Sequence, residues 1–381
     1  MEEQKGLRQM LINRLESERG LPTKMAKLAG YSSSGALMKV LRKVDGDIEK
    51  FDGFVRIVHE LFPEDKFDLM FEFAKTLNPN RMTARFMIEY AALYGKREMK
   101  LTMIEALGNS ENDESKDWAF VYGIDHKLIL KEIDEFEAIT QLTQRKFVSP
   151  EMKVFSKIVQ YYSFEDMRNL KMMEKLYNTI KIELETINNQ FAKSSFLARL
   201  FLIEGDIRLR NKQVSKVKQN IFFIENALDP IKYFAYLTVG NSYIISNYEK
   251  SKELLLKCLD NSSGGIEHEA QNSFNFLSVL WEKFDDYKFN GDISNELFYH
   301  AKKGNKEKAI EILEQIDVEN LSDYSKGFNY YYQGILFKDA TKFYKSIKHF
   351  NLSSDKFYKT LAIMELEKMG VDQDILEVFS A

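Results

Sequence analysis

The chain has 381 residues, with 54 Lys and Arg against 58 Asp and Glu and a formal net charge of −4 at pH 7. A chain this long exceeds what one hydrophobic core usually serves, so two domains or a solenoid are expected. The slightly negative total gives no overall reason to expect nucleic acid, although such a sum can hide a basic module. Only five prolines interrupt a sequence rich in Leu, Lys, Glu, Ile and Phe, which predicts an all-α fold.

Residues 1–44 read as a separate helix-turn-helix module. Leu7, Met10, Leu11 and Leu15 form one apolar stripe, predicting a first helix that stops near Gly20. Pro22 and Thr23 open a second helix, with Thr23 as the expected N-cap and Gly30 as its end. Ser32, Ser33 and Ser34 offer caps for a third helix in which Ala36, Leu37, Val40 and Leu41 face inward. Ala26, Gly30 and Leu37 stand close to helix-turn-helix spacing, with a connection one residue longer than usual; the small Ala permits a tight crossing and Gly the positive φ of the turn. Up to Val44 four acidic residues face nine Lys and Arg. The third helix is therefore expected in a major groove, Ser33 and Ser34 near base edges, with Lys24, Lys39, Arg42 and Lys43 available for DNA.

Residues 45–169 continue as a helical linker and first degenerate repeats. Helices are predicted over 51–62, 66–77 and 82–94, punctuated by Pro63 and by Asn78-Pro79-Asn80. Arg81 and Arg85 could add phosphate contacts or simply lie on a solvated face. The polar run 108–117 is expected to be an exposed loop. Three helices follow between Trp118 and Tyr162.

Residues 170–352 pair into helical hairpins: 170–188 with 194–209, 213–227 with 234–246, 248–259 with 269–284, 296–303 with 306–316, and 324–337 with 340–350. An exposed turn is expected over 264–269. Corresponding helices recur at tetratricopeptide-like spacing, which predicts a degenerate superhelical solenoid. Its organising hairpin has Phe234, Leu237, Gly240, Tyr243 and Ile244 on one helix. These face Tyr248, Ser251, Leu255, Cys258 and Leu259 across the corner Ser246-Asn247. Cys258 is the one cysteine of the sequence, which excludes an internal disulfide or a cysteine-built metal cage, and it is expected to be a small buried hydrophobe. Residues 353–381 close the array as a cap or a self-association surface.

Catalytic chemistry has no support in the sequence. The His residues are scattered, no Gly-rich phosphate loop follows a strand, and no Ser stands in a nucleophile elbow. No enzyme, cofactor or metal is expected. The N-terminus lacks a signal-peptide core and no apolar run reaches the roughly 18 residues of a span, so a cytoplasmic protein without membrane contact is expected. The inner groove of a solenoid suits an extended peptide. Asn241, on an apolar helix, could pin a peptide backbone, Asp355 suits a cationic side chain, and Asp206 and Arg210 could join them or pair with each other.

The segments Pro150–Lys157, Phe234–Tyr243 and Leu366–Gly370 closely resemble those of the AimR arbitrium receptors of SPbeta-like Bacillus phages, and the order of parts agrees over nearly the whole chain. The resemblance implies a cytoplasmic, homodimeric transcription regulator in the bacterial host. In that family the unliganded dimer binds an operator and activates a small regulator opposing lysogeny. A re-imported hexapeptide, ending typically in Arg-Gly-Ala, removes the activation. Carried over, Asn241 and Asp355 match peptide-binding residues, Asp206 and Arg210 stand where well-known members carry two Asn, and Pro230 stands where they carry a peptide-binding Arg. Lys232 or Arg210 is then expected to meet the peptide's C-terminal carboxylate. The rival reading is a peptide-regulated protein-interaction scaffold in which 1–44 is only a helical cap.

Overall fold

The computed structural model describes residues 6–167, 169–217, 228–260, 262 and 265–380, and among them every regular element is helical. The chain divides into two compact units, residues 1–200 and 201–381.

The first unit opens with α1 (Leu7–Glu16), α2 (Leu21–Leu28) and α3 (Ser34–Arg42). Thr23 does not cap α2. The helix starts at Leu21, behind Gly20 at φ +88°, and Pro22 occupies the first turn, where its missing N–H costs nothing. At the other end Gly30, at φ +71°, closes a Schellman motif: Tyr31 N–H donates to Ala26 O at 2.8 Å and Gly30 N–H to Lys27 O at 3.1 Å. Ser33 caps α3 by accepting from Ala36 N–H at 3.2 Å. Leu11, Leu15, Met25, Ala26, Leu37 and Leu41 form the core of this three-helix head.

Behind it follow α4 (Phe51–Leu61), α5 (Lys66–Thr76), α6 (Met82–Leu93), α7 (Arg97–Gly108), α8 (Asp113–Ile129), α9 (Glu135–Gln144), α10 (Pro150–Asp166) and α11 (Leu170–Leu184). The last helix, α12 (Gln190–Arg210), runs past residue 200. The expected loop over 108–117 is shorter than its polarity suggests. Asn112 caps α8 by accepting from Ser115 N–H at 3.0 Å, and Asp113 and Glu114 occupy the first turn, where the helix dipole favours acids. Asp117 is buried, accepting from Arg145 at 3.0 Å and from the N–H groups of Val148 at 2.6 Å and Ser149 at 3.1 Å.

The core of this unit is aromatic. Trp118 and Tyr122 stack at 5.7 Å with planes 10° apart, and Phe155 stacks on Phe196 at 5.0 Å. Within it lies an ion pair. Glu89, with no exposed surface, takes both arms of Arg199, Nε at 3.0 Å and Nη2 at 2.9 Å, and accepts from the hydroxyls of Tyr122 and Ser195.

The second unit contains α13 (Asp229–Tyr243), α14 (Tyr248–Leu259), α15 (Gly265–Leu280), α16 (Ile293–Lys303), α17 (Lys306–Leu313), α18 (Asp323–Phe337), α19 (Ala340–Leu352), α20 (Lys359–Lys368) and α21 (Gln373–Ser380). Helix α15 begins inside the segment expected to be an exposed turn, because Ile266 and Ala270 supply an apolar face one turn earlier. Most of the helix expected over 213–227 lies outside the described residues.

Helices α13 and α14 form the organising hairpin. Asn247 caps α14, Tyr248, Ser251, Leu255 and Cys258 are buried, and Gly240 sits against Leu255. Phe234 departs from the expected stripe and is 41% exposed. Ser251 Oγ donates to Gly240 O at 2.9 Å, and in the hairpin α18–α19 Ser346 Oγ donates to Gly327 O at 2.7 Å. In both, a small residue lets a neighbouring hydroxyl reach a helix backbone. Trp281, at the end of α15, donates from Nε1 to Ile244 O at 2.8 Å.

Gly334 shows what such approach requires. A Cβ there would stand 2.5 Å from Cε1 of the buried Phe343 ring. Gly334→Ala is expected to destabilise the protein by about 1–2 kcal/mol, overpacking outweighing the roughly 1 kcal/mol that Ala gains over Gly in a helix. Urea denaturation checks this; a midpoint at or above that of the parent would mean that the ring yields.

Candidate functional site

Two sets of sequence-predicted residues have distinct settings. In the head, Ser33, Lys24, Lys39, Arg42 and Lys43 are exposed, and Ser34, the first residue of α3, is half-buried. Ser33 Oγ is engaged as the cap, so its exposed hydroxyl is also an architectural group. Arg42 meets Glu16 at 2.9 Å and Lys24 meets Glu60 at 3.1 Å, both in solvent, where such pairs contribute little and exchange readily. Lys39 and Lys43 meet no carboxylate within salt-bridge distance among the described residues.

Arg85 belongs to the scaffold. Its guanidinium is largely buried, 2.9 Å from Glu114 and 3.1 Å from the Asn112 oxygen that caps α8. Arg81 remains exposed at the start of α6.

Arg8 is the residue that the sequence reading passed over as one more basic charge. It is 9% exposed and donates from Nη1 to Val40 O at 2.7 Å and Lys43 O at 2.8 Å, and from Nη2 to Gly46 O at 2.6 Å. The signal was present: Arg8 precedes Leu11, Ile12 and Leu15 by three, four and seven residues, which places it on the buried stripe of α1. Burial lowers its pKa from the ordinary arginine value, opposed by Tyr31, Asp45 and Asp47.

In the second unit three predicted residues come together. Arg210 Nε lies 2.8 Å from Asp206 Oδ2, one helical turn away, with its Cζ 5.9 Å from the Tyr324 ring centroid. Lys356 N–H donates to Arg210 O at 2.8 Å, which brings the adjacent Asp355 to the same place. Asp355 is 2% exposed and its Oδ1 accepts from Tyr358 N–H at 2.7 Å. Burial pushes its carboxyl up to about 6, held back by the Tyr358 and Phe357 N–H groups and by the charge of Arg210. The Arg210 guanidinium pairs with Asp206 and its charge reaches Asp355, so these three groups carry an acidic excess when both carboxyls are ionised.

Asn241 and Lys232 are carried by α13 and are half-buried. Asn241 Oδ1 is buried and accepts no hydrogen bond among the described residues, an arrangement that costs free energy unless something supplies a donor. Pro230 is buried in the first turn of α13.

Among the described residues, no group of three His, Cys, Asp or Glu could hold a metal ion, and no helix is long and apolar enough to cross a membrane. Cys258 is a fully buried thiol, its pKa pushed up to about 11 by burial.

The family model for AimR transcriptional regulator-like proteins matches residues 66–368. The AimR transcriptional regulator of Bacillus phage phi3T is 31% identical over 379 residues, covering 97% of this chain and all of the relative. That of Bacillus phage SPbeta is 28% identical, with 96% of each chain covered. A solved structure of selenomethionine phAimR superposes with a TM-score of 0.81 at 30% identity, covering 98% of this chain and 100% of that one. The phAimR-Ligand structure superposes with a TM-score of 0.76 at 29% identity over 85% and 99%. The protein is thus an all-α transcriptional regulator and not an enzyme. It belongs to the AimR transcriptional regulator-like family.

Proposed function

We propose that this protein is a homodimeric, peptide-responsive DNA-binding regulator that acts in the bacterial cytoplasm on a phage's choice between lysis and lysogeny. Residues 1–44 read operator DNA and 170–352 form a tetratricopeptide-like solenoid that holds a short signalling peptide. Residues 45–169 link the two, and 353–381 cap the solenoid and support the dimer. The peptide ends the activator function.

The observation that carries the reading is the three-helix head: its capped third helix presents Ser33, Lys39, Arg42 and Lys43 to solvent, as a groove-reading helix must. The peptide side is supported by the unsatisfied Asn241 carbonyl, which suits a backbone N–H, and by the acidic excess of Asp206 and Asp355, which suits a cationic side chain. Lys232, on α13 with Asn241, or Arg210 supplies the positive charge for a peptide carboxylate.

The test is fluorescence anisotropy with duplexes enriched by the protein from a random-sequence library, in 50–200 mM salt. Site-selective binding that weakens with salt is expected. The double charge reversal Lys39→Glu, Arg42→Glu should weaken it by roughly 100-fold or more while circular dichroism stays unchanged. Synthetic hexapeptides ending in Arg-Gly-Ala, titrated by calorimetry, should bind the wild type and release the duplex. Peptide binding with no duplex enriched would establish the scaffold reading instead.

A further inference from the structure

The connection leaving α3 is held from two sides. Arg8 of α1 gathers the carbonyls of Val40, Lys43 and Gly46, and Thr83, at the start of α6, receives the other end. Thr83 Oγ1 accepts from Ile48 N–H at 2.8 Å, and Thr83 N–H donates to Asp47 Oδ1 at 3.1 Å. Packing anchors the two ends of the connection, Leu41 and Ile48, and leaves its middle open. A cleft of about 800 Å³ opens beside the segment, lined among others by Leu41, Val44, Asp45 and Phe73. Val44 is 78% exposed. Between the buried anchors Leu41 and Ile48, where Val44 and Asp45 face solvent, the hydrogen bonds to Arg8 and Thr83 fix the course of the chain as it leaves α3.

The Arg8 chemistry suits this task. Carbonyls at the end of a helix carry the negative end of its dipole; Val40 O and Lys43 O each accept one backbone N–H, from Lys43 at 3.3 Å and Gly46 at 3.1 Å, and keep a second lone pair for Arg8. A planar guanidinium can meet several oxygens in one fixed geometry, whereas an ammonium is a point charge on a flexible stem. Lys39, Arg42 and Lys43, the basic groups assigned to DNA, stand on the turn that Arg8 closes or next to it.

We propose that Arg8 is the positioning residue of the head, which by clasping the carbonyls of Val40 in α3 and of Lys43 and Gly46 beyond it sets the angle at which that helix meets a duplex. This rests on the DNA-binding reading above. Arg8 touches no DNA itself. It acts on site selectivity, because base-edge contacts need the helix placed closely, while contacts to the phosphate chain tolerate a tilt.

The experiment compares the full-length wild type with Arg8→Lys, which keeps the charge and stem but cannot clasp three carbonyls, and with Arg8→Met, which removes every donor. The probes are the library-enriched duplex and a scrambled duplex of equal composition, each measured across a salt series. For Arg8→Lys we expect selectivity between the duplexes to fall about tenfold, with affinity for the scrambled duplex and the salt slope unchanged. Lys39→Gln, a phosphate-contact control, should instead weaken both duplexes and reduce the salt slope by about 1.

Arg8→Met should follow Arg8→Lys with a larger loss; if it fails to fold, the lysine variant decides alone. Wild-type selectivity in a folded Arg8→Lys protein would overturn the proposal. So would parallel loss on both duplexes with a reduced slope, which would make Arg8 a phosphate ligand. A wild type that enriches no duplex at all would overturn the DNA-binding reading itself.

Discussion

Arg199→Met is expected to lower the unfolding free energy by about 3–5 kcal/mol, the cost of leaving one member of a buried ion pair without its partner. Glu89 has no exposed surface, and its oxygens are directed at Arg199, Tyr122 and Ser195 within aromatic walls. The Arg199 guanidinium also lies 5.3 Å from the Phe155 ring centroid. Removing it strands a carboxylate among rings, whereas removing both charges does not. The double variant Glu89→Gln, Arg199→Met should therefore recover most of the loss. Chemical denaturation followed by circular dichroism would decide. An Arg199→Met protein within about 1 kcal/mol of the parent, or a double variant no better than the single, would show that the pair is solvated or dispensable.

The second large effect is a dependence on pH. The Asp355 carboxyl sits at about 6 in the folded protein against an ordinary value of 3.8, because burial penalises its charge. The folded state thus holds this proton more tightly than the unfolded chain. The stabilisation is fully present below about pH 4 and is lost as pH rises through about 6, a swing of at most roughly 3 kcal/mol. The groups that hold the carboxyl back are the N–H groups of Tyr358 and Phe357 and the charge of Arg210. Asp355→Asn should flatten the profile and make the protein more stable than the parent at pH 7.5. It should also weaken any cationic ligand of the cluster. Melting curves from pH 4.5 to 8 test it; equal slopes for parent and variant would assign the pH dependence elsewhere.

How much of this was legible in the sequence depended on whether the chemistry was local. Helix α14 follows from the Asn247 cap and the stripe through Leu255 and Cys258, because caps and periodicity act within one or two turns. The boundary at Asp113 was misread because acidic residues suit both a loop and the first turn of a helix, and only the Asn112 cap decides between them. The Asp206–Arg210 pair was readable from its spacing of four, and Asp355 was expected at the same peptide site, but the bond from Lys356 N–H to Arg210 O was not legible. That contact joins residues far apart in the chain, and nothing near either of them announces it. Glu89 is one acid in an apolar run, not singled out from the sequence, and its partner lies 110 residues away. Arg8 was hidden differently: a basic residue in a basic module invites a surface reading, and only its place on the apolar stripe argues otherwise.

The chain carries two tryptophans, and they fall one to each unit in opposite surroundings. Trp118 is 1% exposed inside its ring stack, while Trp281 is 38% exposed at a helix end. Their intrinsic emission should accordingly separate, a blue-shifted band from the sealed indole and a redder, quencher-accessible one from the other. The molecule therefore brings its own pair of optical labels. With either indole replaced by Phe, the remaining one reports on its own half of the chain without any attached dye.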